Sequence, residues 1–248
     1  MARLAVVSGG GTGIGWAVAR RLAADGDRVV ILGRRPGPLK ATADTINHEL
    51  GGDLVGWHTA DLTDPGDLAG VVGAVDRAGG TVDVLVNNAG GRFGDDGTDL
   101  AAVAAGWSRD FQGNVLPTVL LTEALFDRLR RPGARIVALG SVAAFRPTGS
   151  YGAAKAALHA WVYTAATRLA PAGVTVNAVA PGFIPDTEFF GGGLTPEFIL
   201  SRVDLTPVGR PGTPDEVAAA VRYLAAPEAG FTTGQILQVN GGMVFGRG

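Results

Sequence analysis

A chain of 248 residues, 46% of them hydrophobic, can bury a large core, and a formal charge of −2 argues against a non-specific nucleic-acid binder. The absence of cysteine excludes disulfides, thiolate metal sites and thiol chemistry, and His48, His58 and His159 are too scattered for a zinc site, so no metal is expected. No apolar run approaches the ~20 residues of a bilayer span, and glycines rather than a cleavage pattern follow the first apolar stretch, so a soluble cytoplasmic protein is expected.

Short runs rich in valine, isoleucine and leucine alternate with longer helical patterns. Strands are expected at 3–8, 28–33, 54–59, 82–87, 134–140, 174–180 and 235–240, and helices near 14–25, 37–50, 65–79, 99–131, 150–170 and 213–226. Nearly continuous apolar strands are those of a sheet covered on both faces. The alternation predicts an α/β fold, a doubly wound, Rossmann-type parallel sheet of about seven strands with helices on both sides. No linker divides the chain, so residues 1–248 are expected to form a single domain. The Gly/Pro-rich stretch after 180 lies between two strands of that sheet and reads as an insertion at its ligand edge.

The first strand runs into "SGGGTGIG", where Gly9, Gly13 and Gly15 precede a helix. Glycines in that place permit a tight turn and let backbone N–H groups approach a pyrophosphate at a helix N-terminus. The spacing departs from G-x-G-x-x-G, but the strand–loop–helix context favours nucleotide binding over a plain turn. After the second strand, NAD binders usually place an acid for the ribose 2′-hydroxyl. Here Gly33 is followed by Arg34 and Arg35, whose guanidinium groups suit a 2′-phosphate and so favour NADP, although two arginines after a strand are often solvated surface.

Further on, Ser141 lies just past a strand on the carboxyl edge, and Tyr151 and Lys155 sit four residues apart on one helix face. A nearby ammonium favours phenolate, so Lys155 is expected to lower the Tyr151 pKa and tune it to pass a proton to a carbonyl oxygen. A lone Tyr-x-x-x-Lys pair is weak evidence, but the motifs come in order: "SGGGTGIG", "NNAG" at 87–90, Asn114, Ser141, "YGAAK", "APG" at 180–182 and "GQILQVNGG". Together they resemble the short-chain dehydrogenase/reductase family over essentially the whole chain, and within it ketoreductases, including those that tailor aromatic polyketides.

The resemblance implies a role for each matching position. Tyr151 would be the acid/base, Lys155 would lower its pKa and hold the nicotinamide ribose, and Ser141 would hydrogen-bond the substrate oxygen. Asn114 would hold a water in a proton relay through Lys155. Thr12 and Ile14 would join the three glycines around the cofactor, Asp61 and Leu62 would meet the adenine, and Asn88, Ala89 and Gly90 would support it. Pro181, Gly182, Ile184 and Thr187 would line the nicotinamide. Residues 186–212 would form a substrate lid, made mobile by Gly191, Gly192 and Gly193. Phe189 and Phe190 would give the lid an apolar face, Phe198 with them, and Phe93 and Ala143 would border the pocket. The family also implies a homotetramer or homodimer through the helices at 99–131 and 150–170, and a small-molecule ketone reduced with NADP(H).

One departure concerns Ser141, which precedes Tyr151 by ten residues where the family usually has twelve or thirteen. Ser150 is a rival but adjoins Tyr151 and should point elsewhere, so a shortened, opened loop is inferred between Ser141 and Tyr151. The alternatives are a 3-oxoacyl-carrier-protein reductase, for which Arg128, Arg130 and Arg131 could greet the carrier, and a non-catalytic NADP sensor on the same fold. Retention of Asn114, Ser141, Tyr151 and Lys155 favours an enzyme. His159, one turn after Lys155, reads as packing rather than relay.

Overall fold

A computed structural model describes residues 2–94, 97–191 and 193–245. The strands are β1 (Leu4–Ser8), β2 (Arg28–Gly33), β3 (Val55–Thr59), β4 (Val84–Asn87), β5 (Arg135–Leu139), β6 (Thr175–Pro181) and β7 (Ile236–Val239). They form one sheet in the order β3-β2-β1-β4-β5-β6-β7, every neighbour parallel. The order reverses between β1 and β4, which opens a crevice at the carboxyl ends of those strands, the usual ligand position in such sheets.

The helices are α1 (Gly13–Ala24), α2 (Pro36–Leu50), α3 (Leu68–Arg77), α4 (Leu100–Asn114), α5 (Leu116–Ala124), α6 (Gly149–Leu169), α7 (Pro196–Val203) and α8 (Pro214–Ala225). Two apolar cores result, one on each face of the sheet. Leu85, Ile136, Leu121, Val162 and Leu169 belong to one, and Val7, Ile31, Val18, Leu22 and Val221 to the other. Alternate residues of β1, Val6 and Val7, feed opposite cores, which is why the central strands read as unbroken apolar runs.

Two expectations need correction. The helical stretch expected over 99–131 is α4, then α5, then a short 3-10 turn at Phe126–Arg128. Pro117, in the first turn of α5, has no N–H to continue a helix from α4, and Val115 separates the two. The insertion also holds a helix, α7, where none was expected. The Thr195 side chain accepts a hydrogen bond from the Phe198 N–H at 3.2 Å and Pro196 starts the first turn. Gly192, one of the three adjacent glycines, lies outside the described residues.

Candidate active site

The carboxyl ends of the strands border a cleft of ≈ 1240 Å³. That exceeds the ~300–1,000 Å³ of most small-ligand pockets and leaves space for a dinucleotide and a second molecule. Every residue singled out for cofactor or substrate lines it, from Gly9 through Arg34, Asp61 and Asn88 to Ser141, Tyr151, Lys155, Thr187 and Phe190; Asn114 does not.

The floor is built by close approach. The Asn88 side chain donates to the carbonyls of Ser8, at 2.8 Å, and Gly9, at 3.1 Å. The Ser8 hydroxyl accepts from the N–H groups of Asn88 and Ala89, both at 2.9 Å. These bonds tie the end of β1 to the end of β4. Gly15 has no alternative, since a Cβ there would collide with the Gly9 carbonyl, and Gly13 has φ of 54° and sits against Thr187. The N-terminus of α1 therefore faces the cleft with its amides bare, a cradle shaped for a pyrophosphate. Farther along, Arg34 and Arg35 are exposed at the rim, and the Asp61 carboxylate accepts from the Thr63 N–H and hydroxyl, which holds its pKa below the usual range. Arg35 is also ion-paired with Glu188, a residue the sequence reading did not single out, and the Thr12 hydroxyl lies 3.4 Å from the same carboxylate.

At the other end Ser141 lies beside Tyr151, where it works to lower the phenol's pKa, and its hydroxyl accepts from the Ala143 N–H at 3.1 Å. Ser150 points away, donating to Asp110 at 2.6 Å. The Lys155 ammonium is buried and donates to the Leu139 carbonyl at 2.9 Å, 5.8 Å from the centre of the Tyr151 ring. Gly90 makes room for it, because a Cβ there would fall 3.2 Å from Lys155 Nζ and 2.7 Å from Asn114 Oδ1.

The expected lowering of the Tyr151 pKa is not what this arrangement produces. Burial pushes the phenol up to about 12, outweighing the lowering by nearby Ser141, and burial pushes Lys155 down to about 8. With Lys155 turned to a backbone carbonyl, desolvation outweighs any ammonium–phenol attraction. The Asn114 amide accepts from the Gly91 N–H at 3.1 Å and donates to the carbonyls of Gly91, at 2.8 Å, and Asp110, at 2.9 Å. Its side chain braces the cleft wall from behind.

The end of the cleft around Tyr151 has an aromatic wall. Phe189 lies 5.3 Å from Tyr151 ring to ring and 5.0 Å from Phe190. Phe190 and Phe198 pack on the buried Phe183, at 5.3 and 6.1 Å. Phe190 and Phe198 thus anchor residues 186–212 to the body, and Phe189 faces the tyrosine. The shortened loop after Ser141 folds as a 3-10 turn, Val142–Phe145, closed by Thr148 donating to the Ala143 carbonyl at 2.8 Å.

A parallel sheet with this crossover, a glycine cradle and a Ser–Tyr–Lys cluster across one cleft define a Rossmann-type oxidoreductase of CH–OH and C=O groups. A family profile described as Enoyl-(Acyl carrier protein) reductase matches residues 9–244. Short-chain reductase protein NovJ of Streptomyces niveus is 36% identical, over 96% of this chain and 93% of its own length. The 3-oxoacyl-[acyl-carrier-protein] reductase FabG of Vibrio cholerae is 34% identical over 97% of both. The NADPH-bound structure of a short chain oxidoreductase from Pseudomonas aeruginosa PAO1 superposes with a TM-score of 0.88 at 29% identity, covering 99% of this chain and 98% of that one. The chain belongs to the short-chain dehydrogenase/reductase family, whose members use NAD(P)(H).

Among the described residues no helix is long and apolar enough to cross a membrane, and no group of histidine, aspartate or glutamate is placed to hold a metal ion.

Proposed function

We propose that the protein reduces a ketone to a secondary alcohol with NADPH, on a bulky hydrophobic or aromatic substrate of polyketide type. The observation that carries this reading is Tyr151, sharing the glycine cleft with Ser141 and Lys155 and flanked by Phe189. A bound nicotinamide supplies the hydride. The Ser141 hydroxyl and the Tyr151 phenol donate to the carbonyl oxygen, and as the carbon takes the hydride the phenol proton passes to that oxygen. A phenol held protonated by burial suits the reductive direction. Lys155 Nζ would turn from Leu139 to the nicotinamide ribose and reprotonate the site as the alcohol leaves.

In this reading all 248 residues act as one NADP-binding unit, with 186–212 as the lid. Arg34 and Arg35 hold the 2′-phosphate, which the absence of an acid after β2 supports. A homotetramer or homodimer is proposed as well, supported by the exposed row Val103, Trp107 and Phe111 on α4.

A second reading, 3-oxoacyl-carrier-protein reduction, is favoured by the likeness to FabG. The arginines that could greet a carrier already have partners. Arg128 pairs with Asp76, Arg130 pairs with Asp83, and Arg131 lies 4.0 Å over the Phe126 ring. The test is NADPH oxidation by the pure protein, comparing an acetoacetyl thioester with a polycyclic aromatic ketone. Preference for the ketone supports the first reading, and preference for the thioester replaces it with the second. Tight NADPH binding without turnover of either would favour a sensor.

A further inference from the structure

The most deeply buried carboxylate near the cleft has no part in the chemistry above. Asp110, on α4 one turn before Asn114, is 1% exposed. A buried carboxylate is costly unless its oxygens are bonded, and these are. Oδ1 accepts from the N–H groups of Phe93, at 2.8 Å, and Gly94, at 3.0 Å. Oδ2 accepts from the Ser150 hydroxyl at 2.6 Å. One side chain therefore joins two cleft elements that are far apart in sequence. The first is the strip 91–94, which carries Phe93 into the cleft wall. The second is the first turn of α6, where Ser150 directly precedes Tyr151.

The surroundings are cut to fit this contact. A Cβ on Gly94 would lie 2.6 Å from Asp110 Oδ2 and 3.0 Å from Ser150 Oγ. The Phe93 ring occupies the space a Cβ on Gly113 would need and lies 3.2 Å from where one on Gly91 would be. Arg109, beside Asp110, donates to the Phe93 carbonyl at 3.1 Å. Phe93 is thus held through both its N–H and its carbonyl, with its ring seated on glycine.

We propose that Asp110 is a positioning residue, a clasp that sets the Phe93 wall against Tyr151 and so fixes where the ketone rests relative to the acid. This rests on Tyr151 being the proton donor. The carboxylate never meets the substrate; it acts through Phe93 and Ser150. Its charge also helps keep Tyr151 protonated. Misplacing reacting groups by about an ångström can cost on the order of a hundred-fold in rate.

The test pairs residue-resolved amide hydrogen exchange with kinetics on the full chain, using acetoacetyl-CoA and 1-tetralone as ketones. In Asp110→Ala, exchange at Phe93 and Gly94 should quicken roughly ten-fold or more, with the sheet unchanged. Turnover with the better ketone should fall roughly ten- to a hundred-fold, while KM for NADPH stays put. Asp110→Asn keeps an acceptor for both amides and should restore most of the turnover. Ser150→Ala, a smaller change that retains the fold, should slow turnover a few-fold and stands in if Asp110→Ala fails to fold. Unchanged exchange at 93 and 94 would overturn the clasp. Faster exchange with normal turnover would overturn its role in positioning, and faster exchange throughout the sheet with a raised KM for NADPH would make Asp110 a stability residue only. Normal turnover in Tyr151→Phe would overturn the proton-donor reading instead, and leaves the exchange result to decide the clasp.

Discussion

The two ends of the cleft are made by different means. The cofactor end is set by backbone, with glycines where a Cβ would collide, amides left bare at the start of α1, and Asn88 stitching β1 to β4. The substrate end is made of side chains meeting across long sequence distances, such as Phe189 on Tyr151 and Asp110 on Ser150. A cradle built from backbone tolerates little substitution and serves one ligand. A wall built from side chains can be recut residue by residue, which is how one fold serves many ketones.

That contrast can be broken at its sharpest point first. Tyr151→Phe removes the proton donor and nothing of the cradle, so turnover should fall roughly 10²- to 10⁴-fold with NADPH affinity intact, read by steady-state rates beside a binding titration. Converting Arg34 and Arg35 to alanine should weaken NADPH roughly ten- to a hundred-fold while NADH binding barely changes, since only the phosphorylated cofactor loses charge-assisted bonds. An equal loss for both cofactors would remove the basis for NADP preference.

A smaller effect is expected where the two ends touch. Glu188 engages Arg35, which a 2′-phosphate must share, and both side chains are more than half exposed. Glu188→Gln should tighten NADPH two- to five-fold, the scale of an exposed ion pair, with NADH unmoved; isothermal titration of each cofactor decides it.

The last effect concerns stability rather than the cleft. His159 is buried with its Nε2 unpartnered, and burial, with the Lys155 charge adding to it, pushes its pKa down from 6.5 to about 4. A histidine depressed in the folded state favours folding above its unfolded pKa. That contribution is lost as pH falls from about 6.5 towards about 4. His159→Leu should flatten this part of the stability–pH curve measured by urea unfolding, and an unchanged slope would show that His159 carries none of it.

What could be read in the sequence follows the same division. All seven strands and the glycine cradle were legible because β-rich runs and glycines record backbone demands locally. That Ser150 points away from the tyrosine followed from adjacency on a helix alone. The break between α4 and α5 was signalled by Pro117 and overridden by the apolar pattern on both sides. Thr195 and Pro196 likewise announced α7, but the surrounding glycines and prolines masked them. Asp110 and Glu188 left no such signal. Each is an ordinary acid in its local sequence and gains meaning only from what the fold brings against it. The Tyr151 pKa shift was misjudged for a related reason. Helical spacing shows a lysine nearby, whereas burial, which wins here, is a property of the whole molecule.

The most direct measurement of the central claim is oxidation of NADPH and of NADH by the pure protein, with a polycyclic aromatic ketone, in wild type and in Tyr151→Phe. Turnover that prefers NADPH and collapses in the variant, with cofactor binding kept, is the expected result. Turnover that survives loss of the Tyr151 hydroxyl would contradict the account.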